Sequence, residues 1–119
     1  MSRYPKISHF DSDDINNNKW LFERNNENYK FYIQEKVDGS QLSFLIKDND
    51  IEFFNKENKV DKTKNDFNAS TNILTNFKDK LNTNYIYHGE SICRIKHNVN
   101  VYKRTPSNFF ILYDIYDKG

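Results

Sequence analysis

The stretch "YKFYIQEKVDGSQLSFLIKD", residues 29–48, constrains the fold more than any other part of the chain. Tyr29, Phe31, Ile33 and Val37 recur at period two, which places them on one face of a strand, with Tyr32, Gln34 and Lys36 on the other. After Asp38-Gly39 a second run begins, with Leu42, Phe44 and Ile46 alternating against Gln41, Ser43 and Lys47. The pattern predicts two strands joined at Val37-Asp38-Gly39, and "KDND" then turns the chain into a third, "IEFF". A meander of this kind commits the chain to antiparallel sheet.

The helix signal is confined to "NASTNILTNFKDKL", where Ser70 or Thr71 is placed to cap and Ile73, Leu74, Phe77 and Leu81 share a face. "NYIYHGES" reads as a further strand. "NFFILYDIY" reads as a last one, apolar on both faces and therefore expected at the centre of a sheet. Residues 11–28 are polar, with Trp20, Leu21 and Phe22 as a buried anchor. The expected order β-β-β-α-β-β describes a single α+β domain over residues 1–119. The 18 Asn against 3 Gly suit turns that need left-handed backbone, although a coding bias toward AT-rich codons explains the same count.

Composition removes several classes. With 18 basic and 17 acidic residues, no overall field marks a nucleic-acid or membrane binder, so any polyanion site is local. No apolar run approaches the roughly 20 residues of a membrane span. The start "MSRYPKISHF" has no hydrophobic signal core, and the single Cys93 excludes an internal disulfide. These features suit an intracellular, cytoplasmic protein. His9, His88 and His97 lack zinc spacing, no phosphate-binding glycine loop occurs, and His88 and Ser91 fall on opposite faces of their strand.

Lys36 opens the sequence K-V-D-G. A lysine amine attacks phosphorus when unprotonated, and a glycine lets backbone approach a ligand closely. Taken alone, K-x-D-G equally describes a charged hairpin corner. Lys56 fits a solvated lysine-rich face, Glu90 a turn cap, and Tyr113 core packing beside Phe109, Ile111 and Ile115. The acid-free segment 91–113 carries Arg94, Lys96, His97, Lys103 and Arg104, as a solvated basic loop or a surface for RNA backbone.

Taken in order, "EKVDGSQLSF", "IEFFNKENK", "YHGES" and "KHNVNVYKRTPSNFFILYDIYD" resemble the ATP-dependent RNA ligases of the covalent nucleotidyltransferase superfamily, and "RYPKI" resembles their opening. The resemblance implies an antiparallel nucleotidyltransferase (ATP-grasp-like ligase) fold and a reaction that uses ATP and Mg2+. Lys36 would accept AMP, and Glu35 and Val37 would border the adenine. Asp38 and Gly39 would shape the loop beneath ribose and phosphate. Lys56 stands where the family usually has arginine, and it would bring charge without the bidentate fork. Glu90 would bind the ribose hydroxyls or help organise the metal, and Tyr113 would stack on adenine. RNA ends would be the partner, with Arg94, Lys96, Lys103 and Arg104 as contacts.

One departure stands out. Beyond the aromatic-Asp-Ile strand the family carries E-G-x-V and then K-x-K, and neither follows "YDIYDKG". The expectation is therefore the N-terminal part of an adenylyltransferase domain, completed by a missing C-terminal segment or subunit. The alternative is a catalytically incomplete remnant that serves as a nucleotide- or RNA-binding module.

Overall fold

The computed structural model describes Tyr4 and residues 33–56 and 58–119. The chain divides into two compact units, one formed by Met1–Tyr4 with Val37–Gly119 and the other by Pro5–Lys36. Of the second unit only residues 33–36 are described, and all four are exposed and outside regular structure. The proposed anchor of Trp20, Leu21 and Phe22 lies outside the described residues.

The first unit is a five-stranded antiparallel sheet with one α-helix, as expected of an α+β domain. Its strands are β1 (Ser40–Lys47), β2 (Asp50–Asn55), β3 (Asn58–Lys59), β4 (Tyr85–Ser91) and β5 (Phe110–Asp117), with helix α1 (Asn68–Thr75) between β3 and β4. The spatial order is β3-β2-β1-β4-β5. The β1–β2 hairpin closes through Asp48 and Asn49, whose φ angles of 51° and 62° are those of a tight two-residue hairpin turn. Asn and Asp tolerate that left-handed region better than other non-glycine residues. At least one turn therefore uses the Asn and Asp of the chain as the composition suggests.

Phe44 organises the helix-covered face. Its ring stacks on Tyr87 at 5.2 Å and meets Phe53 at 5.7 Å and Phe110 at 5.4 Å. Leu42, Ile51, Phe67 and Leu74 complete that core, and Phe77 and Leu81 pack against it from beyond the helix, which ends at Thr75, so they do not share a helical face with Leu74 as the periodicity predicts. The opposite face buries Leu45, Phe54 and Ile86 in a second cluster. Ser43 and His88 are buried as well, with the Ser43 hydroxyl 2.6 Å from His88 Nδ1.

Four further expectations change. The strand expected over Tyr29–Val37 is absent across residues 33–37, and 29–32 lie outside the described residues. Ile33 is 96% exposed, and the Asp38 N–H goes to the Tyr102 hydroxyl at 2.7 Å rather than to a neighbouring strand. Lys36 accordingly does not sit at a strand end. Second, Ser70 and Thr71 do not cap the helix. They lie inside it and donate their hydroxyls back to the Phe67 carbonyl, while Phe67 occupies the cap position. Third, the two-residue β3 pairs with the end of β2, which restores the three strands before the helix by a different route. Fourth, β5 is at the edge of the sheet among the described residues, not at its centre, with Leu112, Ile115 and Tyr116 exposed.

Candidate functional site

One end of the sheet gathers the start of β1, the end of β2, the end of β4 and the start of β5, because neighbouring strands run antiparallel. Most of the candidate residues fall at this end. Gln41 stands opposite Glu90 in the β1–β4 register. The Gln41 side chain accepts the Lys56 N–H at 2.8 Å, and the Gln41 backbone carbonyl accepts the Asn55 side-chain amide. Lys56 itself occupies the β2–β3 turn at φ 57°, with an exposed side chain.

Glu90 links two other candidates. Its Oε2 accepts the Gly39 N–H at 3.2 Å, and its Oε1 accepts the Tyr113 hydroxyl at 3.5 Å, the long end of a hydrogen bond. Glycine is required at 39 by this close approach. A Cβ there would lie 2.5 Å from the Ser91 carbonyl oxygen and 2.8 Å from Ile92 Cγ1.

Tyr113 reaches Glu90 through a β-bulge. His88 pairs with Asp114 and Gly89 with Leu112, which leaves Tyr113 as the extra residue of β5. Bulges re-aim side chains. Here Tyr113 stays on the face of Ile111 and Glu90 and parts from Ile115, which pairs with Tyr87 on the other face. The simple alternation with Phe109, Ile111 and Ile115 is therefore broken, and Phe109 lies before the strand in a short 3-10 turn. Tyr4 packs edge-on to Tyr113 at 5.3 Å and lies 4.9 Å from the His88 ring. Burial, followed by the Glu90 carboxylate, pushes the Tyr113 phenol far above its ordinary value, so it remains a donor. Burial also raises Tyr4, with Asp114 adding to the effect, and burial lowers His88.

Asp38 is held from a different direction. Its carboxylate accepts the Asn98 side-chain amide at 2.8 Å and the backbone N–H groups of Val99 and Asn100 at 2.9 and 2.6 Å. The Asn100 N–H, then Asn98 and Val99, hold its carboxyl below the ordinary 3.8. Asn98 also donates to the Gly39 carbonyl at 2.9 Å. His97 Nε2 accepts the Cys93 N–H at 3.0 Å, so the neutral ring carries its proton on Nδ1 and donates it to Ser40 Oγ at 2.9 Å. Burial lowers His97 below 6.5, opposed by Asp66 and Asp38 and aided by Arg94.

A family model described as RNA ligase matches residues 29–119, most of the chain and all of the site just described except Tyr4. The chain belongs to the RNA ligase family. No curated protein and no solved structure matches it.

Within this RNA ligase family chain, the described unit brings Gly39, Glu90 and Tyr113 together. It turns Asp38 toward the loop 97–102, leaves Val37 half-buried and puts Lys56 at the same sheet end. Lys36 and Glu35 belong to the other unit, and both are exposed. The basic segment is less uniform than its sequence suggests. Arg94 is paired with Asp66 at 2.6 Å and the His97 side chain is buried, whereas Lys96, Lys103 and Arg104 are exposed. A cleft of about 530 Å³ lined by residues including Lys47, Glu52, Phe53, Lys59 and Lys62 contains none of the candidates.

Sequence reasoning missed Gln41, Asn98, Tyr102 and Tyr4. All four lie within the family-like stretches, Tyr4 in "RYPKI", Gln41 in "EKVDGSQLSF" and Asn98 and Tyr102 in "KHNVNVYKRTPSNFFILYDIYD", but they act through fold contacts that spacing does not record. Among the described residues no group of three or more His, Cys, Asp or Glu could hold a metal ion. No helix among them is long and apolar enough to cross a membrane.

Proposed function

We propose that this member of the RNA ligase family uses Lys36 to take AMP from ATP and then passes it to an RNA end. What supports the reading is the convergence of Gly39, Glu90 and Tyr113 on one carboxylate, since these residues carry three separate family-like motifs. The neutral Lys36 amine attacks the α-phosphorus. An N–P bond forms, the P–O bond to pyrophosphate breaks, and the amine sheds its proton to solvent. An RNA 5′-phosphate next attacks the lysyl-AMP, breaking the N–P bond and forming a 5′–5′ anhydride. A 3′-hydroxyl then displaces AMP and seals the strand.

In this reading Glu90 receives the ribose hydroxyls, while Tyr113, its hydroxyl protonated, offers its ring as a platform for adenine. Base–aromatic stacking contributes roughly 1–3 kcal/mol. Glu35 and Val37 border the base, Asp38 and Gly39 hold the loop, and Lys56 brings positive charge toward phosphate. Lys96, Lys103 and Arg104, with Arg94 in part, contact RNA phosphates.

The test is incubation with ATP labelled at the α-phosphate, followed by denaturing electrophoresis. Label is expected on the protein, stable to base and lost in acid as for a phosphoramidate, and absent from Lys36→Ala. Undiminished labelling of Lys36→Ala would remove Lys36 from the reaction.

A further inference from the structure

The loop 97–102 makes six hydrogen bonds to only three residues, Asp38, Gly39 and Ser40. Three converge on the Asp38 carboxylate, one holds the Asp38 N–H, one the Gly39 carbonyl and one the Ser40 hydroxyl. Glu90 holds the remaining Gly39 N–H from β4. Both backbone groups of Gly39 and the N–H of Asp38 are thus assigned partners, and Asp38 spends its charge on the protein's own amides.

We infer that Asn98 and Tyr102 are positioning residues, which fix the Asp38–Ser40 backbone to which Lys36 is joined through Val37. The inference rests on the proposed role of Lys36. It changes the meaning of the motif: Asp38 serves as an anchor for the loop, and the specificity of K-x-D-G lies partly in a partner some 60 residues downstream.

The chemistry of each contact is distinct. Asn98 is a two-pronged donor, and its amide reaches both Asp38 Oδ1 and the Gly39 carbonyl, so alanine removes two bonds at once. Tyr102 contributes only its hydroxyl to Asp38, which makes Tyr102→Phe a single-atom deletion that keeps the ring. A displacement of about 1 Å at a reacting group costs on the order of 100-fold in rate.

The experiment measures, in the full chain, initial labelling rates from ATP against ATP concentration for wild type, Asn98→Ala and Tyr102→Phe. In parallel, amide exchange at Gly39 and Ser40 is followed by NMR. The expected result is a fall of about 10-fold or more in maximal rate for Asn98→Ala and a smaller one for Tyr102→Phe, with the ATP concentration for half-maximal rate little changed. Faster exchange at Gly39 should accompany both. Wild-type labelling rates in both variants would overturn the inference. If the wild type forms no adduct at Lys36, the role proposed for Lys36 fails, and exchange alone decides whether the loop fixes residues 38–40. Unchanged Gly39 exchange in a folded Asn98→Ala protein would then contradict it, and faster exchange would uphold it. Tyr102→Phe keeps the test available should Asn98→Ala not fold.

Discussion

At Gly39 the backbone lies so close to β4 that the missing side chain is a structural element in its own right. Overfilling a packed site typically costs about 1–3 kcal/mol. Gly39→Ala should lower the urea midpoint accordingly, because the Ser91 carbonyl oxygen 2.5 Å away belongs to a strand backbone and cannot rotate aside. An unchanged midpoint would show that the approach is looser than described. The same residue shows what was legible in the sequence. K-V-D-G, Glu90 and Tyr113 stand out by type and order, but that Glu90 holds Gly39 depends on the β1–β4 register. Nor does spacing reveal that Tyr113 turns toward Glu90. Ile111, Tyr113 and Ile115 alternate in sequence, and only the unpaired position opposite His88 and Gly89 parts Ile115 from the other two in space.

Elements with strong local patterns were readable and those defined by partners were not. β1, β2 and β4 follow their alternation because Leu42, Phe44, Ile51 and Phe53 bury together and Tyr87 packs against them. Residues 33–37 alternate too, yet the Asp38 backbone and side chain next to them are committed to the loop 97–102, and no ladder forms across 33–37. That loop should be sensitive to acid. Its His97 accepts from the Cys93 N–H, and protonating Nε2 would set two donors against each other. Burial keeps His97 below 6.5 in the fold, so the unfolded chain takes up the proton first as pH falls. The stability it contributes is complete above pH 6.5 and declines below it. His88, lowered in the same way, adds to the decline. The depressed Asp38 acts in a separate window, with its contribution kept above 3.8 and lost only as pH falls through its lower folded value. Urea midpoints measured across pH 6.5 should therefore drop on the acid side, and His97→Asn should shrink the drop. An equal drop in that variant would assign the effect elsewhere.

For the whole molecule, the described sheet ends on β5, an eight-residue edge strand with Leu112 and Ile115 exposed on one face and Tyr116 on the other. Long apolar edges pair with other chains unless charge or cover prevents it. The 119-residue chain should therefore associate as its concentration rises, and Leu112→Lys combined with Ile115→Lys should suppress this in sedimentation or light scattering. A monodisperse wild type at every concentration would contradict that expectation. Membership of the RNA ligase family and the antiparallel α+β fold now stand together, and the nucleotidyl transfer proposed for them turns on a single bond. Peptide mapping by mass spectrometry after incubation with ATP reads that bond directly. An AMP adduct on the peptide carrying Lys36, absent from Lys36→Ala, is the expected result. An adduct on any other residue, with Lys36 unmodified, would contradict the central claim.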